Sequence, residues 1–197
     1  MRSDPSFVHG QHAVTFYRRD AELFGTVGRF VGEGLTSGEP ALLIATEPHA
    51  LGILDDLRAR GIDVDRDVAR GDIVVIDAVE MLERITVDGE IHPERFARAL
   101  TAAIEATVSG RPAKAALRAY GEMVDVLWQS GQQDEAIRLE ILWNRCAGAH
   151  PVSVLCGYAA DDFAGQSTGY EAVCRLHSHV VPPDAVAITA PGSNPTA

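Results

Sequence analysis

The stretch Arg118-Ala-Tyr-Gly-Glu-Met-Val-Asp-Val-Leu-Trp128 decides how this chain is read. An apolar run at 113–117 precedes it, and Met123, Val124, Leu127 and Trp128 give its second half a helical pattern. The pattern predicts a strand over 113–120 that runs into a short helix over 123–129. An arginine, a tyrosine, a glycine and a glutamate therefore meet at one strand-to-helix turn. In an open α/β sheet, ligands bind at the carboxyl ends of the strands, so this turn is read as one wall of a site.

The same alternation extends upstream. Residues 12–17 (HAVTFY) are rich in β-branched and aromatic types and read as a first strand. Asp20 is placed to cap a helix whose apolar face is Leu23, Phe24, Val27, Phe30, Val31 and Leu35. Residues 41–45 are all apolar, as in a strand buried on both faces. Thr46-Glu-Pro-His49 turns into a second helix that Gly61 closes. Residues 72–77 (DIVVID) form a third strand, 79–82 a helical turn and 86–91 a polar loop. Pro93 opens the next helix as its first residue. Downstream, Asp134 caps a long helix to residue 147, residues 152–158 are a fifth strand, and 169–177 are a last helix. This order predicts a three-layer α/β domain over 8–182, with a mostly parallel sheet, helices on both faces and right-handed crossovers. Residues 183–197 have the composition of a disordered tail.

Composition narrows the function. Of 197 residues, 46% are hydrophobic and 23% charged, which fits one soluble domain. The net charge is 17 − 28 = −11. An acidic chain without a basic cluster is a poor partner for nucleic acid or an anionic membrane. No apolar run approaches the ~20 residues of a membrane span. The start Met-Arg-Ser-Asp-Pro-Ser lacks a signal core, so the expected location is cytoplasmic. Cys146, Cys156 and Cys174 are odd in number with no C-x-x-C, which indicates neither a disulfide framework nor structural zinc. Cys156, in an apolar run, reads as core.

The strand ends supply the candidate site: Tyr17 and Arg18 after the first, Glu47 and His49 after the second, and Asp77 after the third. Arg118, Tyr120 and Glu122 follow the fourth, and Tyr158 and Asp161 the fifth. A plainer role for Glu47, Asp77 and Glu122 is to cap helices and pair with Arg118. Asp77 looks like a Walker B carboxylate. The first strand, however, leads into Tyr17-Arg-Arg-Asp-Ala-Glu-Leu-Phe-Gly25, with no glycine loop and no Lys-Ser/Thr to hold phosphates. A conventional P-loop ATPase is excluded. His177-x-His179 offers two metal ligands, with His9-x-x-His12 as a distant partner. Catalytic zinc asks for about three converging ligands, so no metal site is assigned. There is no G-x-S-x-G elbow for a nucleophile. Trp128 and Trp143 read as core, and Asn144, a poor helix former, is expected to bond to another element.

Several segments together resemble a known family. His12-Ala-Val-Thr-Phe-Tyr17, Glu33-Gly-Leu-Thr-Ser-Gly-Glu39, Arg118-Ala-Tyr-Gly-Glu-Met-Val-Asp125, Leu139-Glu-Ile-Leu-Trp-Asn144 and Cys174-Arg-Leu-His-Ser-His179 resemble the MEDS (methanogen/methylotroph, DcmR sensory) domain. The resemblance implies a RecA/KaiC-like fold without a functional P-loop, in a non-enzymatic bacterial sensor that needs no cofactor. It implies a small-molecule ligand, hydrocarbon derivatives among the candidates, and a protein partner such as a kinase, an anti-sigma factor or a transcription regulator. Sensors of this kind often form homodimers. Carried over by motif, the ligand-site candidates are His12, Tyr17, Arg118, Glu122, Glu140, Asn144 and His177. No output domain follows residue 182, so the signal is expected to reach a separate effector. The competing readings are a divergent nucleotide-binding ATPase using Arg18 or Arg118 with Asp77, and a metal or haem sensor using His177 and His179.

Overall fold

The structure, a computed structural model, describes residues 10–111 and 116–184. Residues 185–197 of the expected tail, His9 and the start of the strand expected at 113 lie outside the described residues, whereas Asp184, expected in the tail, bonds Arg29 and Thr26. The described strands are β1 (His12–Tyr17), β2 (Ala41–Ala45), β3 (Ile73–Asp77), β4 (Thr86–Val87), β5 (Glu90–Ile91), β6 (Leu117–Gly121), β7 (Val152–Ala159) and β8 (His179–Val181). Six of them form one parallel sheet in the order β3-β2-β6-β7-β1-β8, and β4 and β5 form a separate hairpin.

The pleat sends alternate residues to opposite faces. Val14, Leu42, Ile44, Ala119, Val154 and Cys156 belong to one core, and Ala13, Tyr17, Leu43, Ala45, Tyr120 and Leu155 to the other. Helices α1 (Asp20–Thr36), α2 (Glu47–Ala59) and α3 (Val64–Ala69) cover the second core through Leu23, Val27, Ile53, Leu57 and Val64. Helices α4 (Ala78–Ile85), α5 (Pro93–Val108), α6 (Met123–Gln129), α7 (Gln133–Ala149) and α8 (Ser167–Leu176) cover the first through Met81, Phe96, Leu127, Trp143 and Val173. Neighbours β2 and β6 thus send their chains to opposite faces, and so do β7 and β1. Such reversals are the positions at which open α/β sheets have their ligand crevices, at the carboxyl edge.

Local chemistry explains where the sequence reading falls short. The 86–91 loop is a hairpin, because Asp88 (φ 51°) and Gly89 (φ 86°) form a two-residue turn with both φ positive. Helix α3 lies between strands where none was expected, and Asp63 caps it by accepting from Arg66 N. The helical turn at 79–82 lengthens to α4, capped by Asp77. Asp20 and Asp134 lie inside the first turns of α1 and α7 rather than at their caps. There they favour the positive end of the helix dipole instead. Strand β8 is an element beyond the sequence pattern, since three residues carry too little alternation to read. It pairs Ala13 with His179 and Thr15 with Val181. Ser178 N also donates to the His12 carbonyl at 2.7 Å, which ties the end of α8 to the start of β1.

Candidate functional site

At the carboxyl edge, one carboxylate spans each crevice. Glu122 follows β6 and bridges to β2. Its Oε1 accepts from Thr46 N, and its Oε2 accepts from His49 Nδ1 at 2.7 Å and Tyr120 Oη at 3.0 Å. Asp125, one turn later, bridges β1 and β7. It accepts from Tyr17 Oη at 2.9 Å, Gln129 Nε2 at 3.0 Å and Ala159 N at 3.1 Å. Glu122 is 2% exposed and Asp125 4%. Burial, only partly offset by the bonds from Ala159 and Tyr17, pushes Asp125 up to about 6. The hydrogen bond that His49 donates to Glu122 raises His49 against the opposing effect of burial. Burial and the nearby carboxylates raise both Tyr17 and Tyr120. Asp162, which also pushes Asp125 upward, keeps a buried Oδ2 with no hydrogen-bond partner among the described residues.

The start of α1 differs from a phosphate site. Glu22 folds back over it, accepting from Arg18 N at 3.0 Å and from Arg19 Nη2 at 2.7 Å. A carboxylate therefore takes up the amide and guanidinium that a phosphate would need.

A second constellation lies inside the first core. His12 leads β1, Cys156 sits in mid β7, Glu140 comes from α7, and His177 follows α8. Their ligand atoms all lie within 4.8 Å of one another. His12 Nε2 is 3.2 Å from Cys156 Sγ and 3.2 Å from Glu140 Oε2, and His177 Nε2 is 3.3 Å from the same oxygen. The other Glu140 oxygen accepts from Tyr158 Oη at 2.8 Å. All four residues are buried, Glu140 and Cys156 completely. Burial works to raise Glu140, but the two imidazoles outweigh it and hold the carboxyl below its usual range. Burial and the Glu140 charge push Cys156 well up. Asn144 meets the expectation of a bond to another element, donating to Leu176 O at 2.7 Å and meeting His12 Nδ1 with its Oδ1 at 3.2 Å.

The residues singled out in the sequence thus divide between several places. Tyr17, Tyr120 and Glu122 reach the carboxyl edge, whereas His12, Glu140, Asn144 and His177 build the buried centre. Glu47 is exposed in the first turn of α2. Asp77 accepts from Val79 N and Glu80 N, as a helix cap does. Arg118 is not at the turn. It lies inside β6 beneath α1, bonded to Glu39 and the Phe30 carbonyl, and forms no clamp with Glu122. His179 hydrogen-bonds Ser178 Oγ in β8 and is not one of the four converging residues, so the 177/179 pair is replaced by His177 with His12. Asp125 lies outside the candidate set, His49 was in it and bonds Glu122, and Cys156 is the core residue expected but also faces the polar group. The signal for Cys156 is the register, which pairs Val14 with Cys156 and so puts His12 and Cys156 on one face. Trp128 Nε1 and Trp143 Nε1 are buried without a hydrogen-bond partner among the described residues.

Among the described residues, no helix is long and apolar enough to cross a membrane. A KaiC-like protein from the hyperthermophilic archaeon Pyrococcus horikoshii OT3 is similar in structure, with a TM-score of 0.59 at 16% sequence identity. The match covers 92% of this chain and 76% of that one. At that identity the likeness shows the fold, a KaiC/RecA-like three-layer α/β arrangement. No curated protein matches the sequence. The family model for the methanogen/methylotroph, DcmR sensory domain matches residues 11–178, and the chain belongs to this MEDS family.

Proposed function

We propose that the chain is a non-enzymatic sensory domain that takes a small molecule at the carboxyl edge of its sheet and passes the event to a partner protein. The observation that carries this reading is the pair of buried carboxylates, Glu122 and Asp125, held in the two crevices. Among the described residues no arginine or lysine pairs with either; their partners are neutral donors and His49. Asp125 has no cationic partner and Glu122 has only His49, whose imidazole it pushes toward the charged form, and buried negative charge so sparsely compensated is costly. A ligand with an ammonium or other strong donor group would relieve it, and the unpartnered Asp162 oxygen offers a further acceptor. The apolar part of such a molecule would face Phe24, whose ring lies edge-on to His49 at 5.7 Å. The family supports the sensory role, and regulation of a kinase, anti-sigma factor or transcription regulator is part of the same proposal.

A nucleotide is the poorer fit. Glu22 sits over the start of α1, Arg118 lies under that helix away from the edge, and two carboxylates line the crevices, where they repel phosphate.

The test is a thermal-shift screen of short alkylamines and alcohols against tag-free protein. Free ligand at 100 times its dissociation constant stabilises a domain by about 2.7 kcal/mol, on the order of 5–10 °C here. Asp125→Asn and Glu122→Gln are expected to abolish the shift, and Arg118→Met to keep it. A screen without any shift, or a shift that survives both edge substitutions, overturns the assignment. Turnover of millimolar ATP overturns the non-enzymatic reading.

A further inference from the structure

The buried His12–Glu140–Cys156–His177 centre plays no part in the edge reading, and nothing assigned so far explains its geometry. We propose that these four side chains bind one divalent transition-metal ion of the zinc class, in a closed tetrahedral site.

Donor chemistry comes first. Two imidazoles, a thiol and a carboxylate are the ligand types that zinc takes, with bonds of about 2.0–2.3 Å. Four donors at those lengths around a tetrahedral centre stand about 3.3–3.6 Å apart. The observed separations are 3.2 Å for His12 Nε2 to Glu140 Oε2, 3.3 Å for His177 Nε2 to Glu140 Oε2, 3.2 Å for His12 Nε2 to Cys156 Sγ, and 3.5 Å for Cys156 Sγ to Glu140 Oε2. These four of the six edges are close to those of such a tetrahedron, and the other two, from His177 Nε2 to His12 Nε2 and to Cys156 Sγ, are within 4.8 Å.

Tautomers come second. His177 Nδ1 lies 2.8 Å from the Val173 carbonyl, which can only accept, so that nitrogen carries the proton. Asn144 spends its amide N–H on Leu176 O and turns its oxygen to His12 Nδ1, so that nitrogen carries one too. Without metal an imidazolium can pair with Glu140; once that proton is given up, as ligation requires, both Nε2 atoms are bare lone pairs. They point at a carboxylate oxygen and a sulfur, which also bring lone pairs. Holding the outer nitrogen of a ligating histidine on an oxygen acceptor is the usual outer-shell device of metal sites. Tyr158 does the same for Glu140 by fixing Oε1 and leaving Oε2 as a single ligand atom.

The third point is an orphan. His177 Nε2 is buried without a hydrogen-bond partner among the described residues, although Glu140 Oε2 is 3.3 Å away. Its side chain is wholly buried and aimed at the centre of the group. A cation there satisfies all four groups at once.

Binding converts the Cys156 thiol to a thiolate. The S–H bond breaks, an S–metal bond forms, and one proton leaves to the buffer. Four protein ligands and full burial make the site structural: it would pin β1, β7, α7 and α8 together.

The experiment uses tag-free full-length chain stripped with a chelator, then titrated with Zn²⁺ and separately with Co²⁺. Expected are one ion per chain with release of the thiol proton and of any imidazolium proton, a rise in thermal midpoint with Zn²⁺, and with Co²⁺ the intense visible bands of a tetrahedral site plus a thiolate charge-transfer band. Cys156→Ser should lose the charge-transfer band, and His177→Gln should weaken binding at least about 10-fold. If either variant fails to fold, the wild-type cobalt spectrum still decides. Failure of folded wild type to take up either ion, or a cobalt spectrum without the thiolate band, overturns the proposal. Amine binding at the edge is tested apart from the metal, because the edge screen can be run on metal-free protein.

Discussion

Replacing Arg118 with alanine separates a structural role from a ligand-binding one. The guanidinium is buried beneath α1, with the residue 6% exposed and Glu39 8%. Nε donates to Glu39 Oε2 at 2.8 Å and Nη1 to the Phe30 carbonyl at 3.0 Å, while the Phe30 ring centroid is 5.0 Å away. The helix comes so close that a Cβ on Gly34 would stand 2.7 Å from Arg118 Cγ, which is why glycine occupies that position. Alanine at 118 removes a counter-ion from the buried Glu39 carboxylate, a loss of about 3–5 kcal/mol. The apolar pair Arg118→Met with Glu39→Met removes both charges and should recover most of that loss. Urea unfolding followed by circular dichroism measures each variant, and the double-mutant cycle should show a coupling of about 2–3 kcal/mol. A cost below about 1 kcal/mol for Arg118→Ala, or additivity within about 0.5 kcal/mol, refutes the buried-pair argument.

Asp125 gives a pH signature. Its value rises from 3.8 to about 6 on folding, so the protonated form favours the folded state. That contribution is full below 3.8 and is lost as pH climbs through about 6, about 3 kcal/mol in all. Asp125→Asn lacks this dependence, so its stability relative to wild type should improve by about that amount between about pH 4 and pH 7 in urea unfolding; a constant difference refutes it. Gly157→Ala would place a Cβ 2.8 Å from Tyr120 Oη and 3.1 Å from Leu23 Cδ1, both buried. It should cost about 1–3 kcal/mol and disturb the Tyr120–Glu122 bond; wild-type thermal stability would contradict that packing. Tyr158→Phe removes the bond to Glu140 Oε1 and should cost about 1–2 kcal/mol in metal-free protein. An unchanged urea midpoint would mean that bond contributes nothing.

Much of the fold was legible because its signals are local. A strand buried on both faces must be apolar throughout, as 41–45 is, and α1 and α5 must repeat apolar residues every turn. Edge residues were legible where they end strands, as Tyr17 and Glu122 do. Arg118 misled because a charge inside a buried strand reads as the strand's end. Its partner Glu39 is 79 residues away, and nothing local announces the pairing. Asp125 looks like an ordinary first-turn acid of α6, and only the adjacency of β1 and β7 gives it Tyr17 and Ala159 as donors. Cys156 is apolar in its sequence surroundings and polar in space. Its meaning depends on a sheet register that joins residues 142 or more positions apart, as His12 and Val154 are.

The two proposed sites share one strand, and the sharing would have a physical consequence. Tyr158 donates its hydroxyl to Glu140, while the next residue, Ala159, donates its backbone N–H to Asp125. The side chain thus reports to the buried centre and the following amide to the carboxyl edge, through one peptide unit of β7. Two sites are coupled only if each ligand distinguishes two arrangements of the element between them. Strand β7 is packed on both faces and paired on both sides, with β6 and β1, so it resists sliding. The freedom that remains is at its end, where the chain passes into the 3-10 turn Ala160–Phe163 that carries Asp162. Charge drawn from Glu140 by a cation weakens its hold on Tyr158. Charge neutralised at Asp125 by an ammonium weakens its hold on Ala159. Both changes act on the same short segment, so that segment, with Phe163 packed against Trp128 at 4.6 Å, is where the occupancy of either site would be felt at the surface of α6.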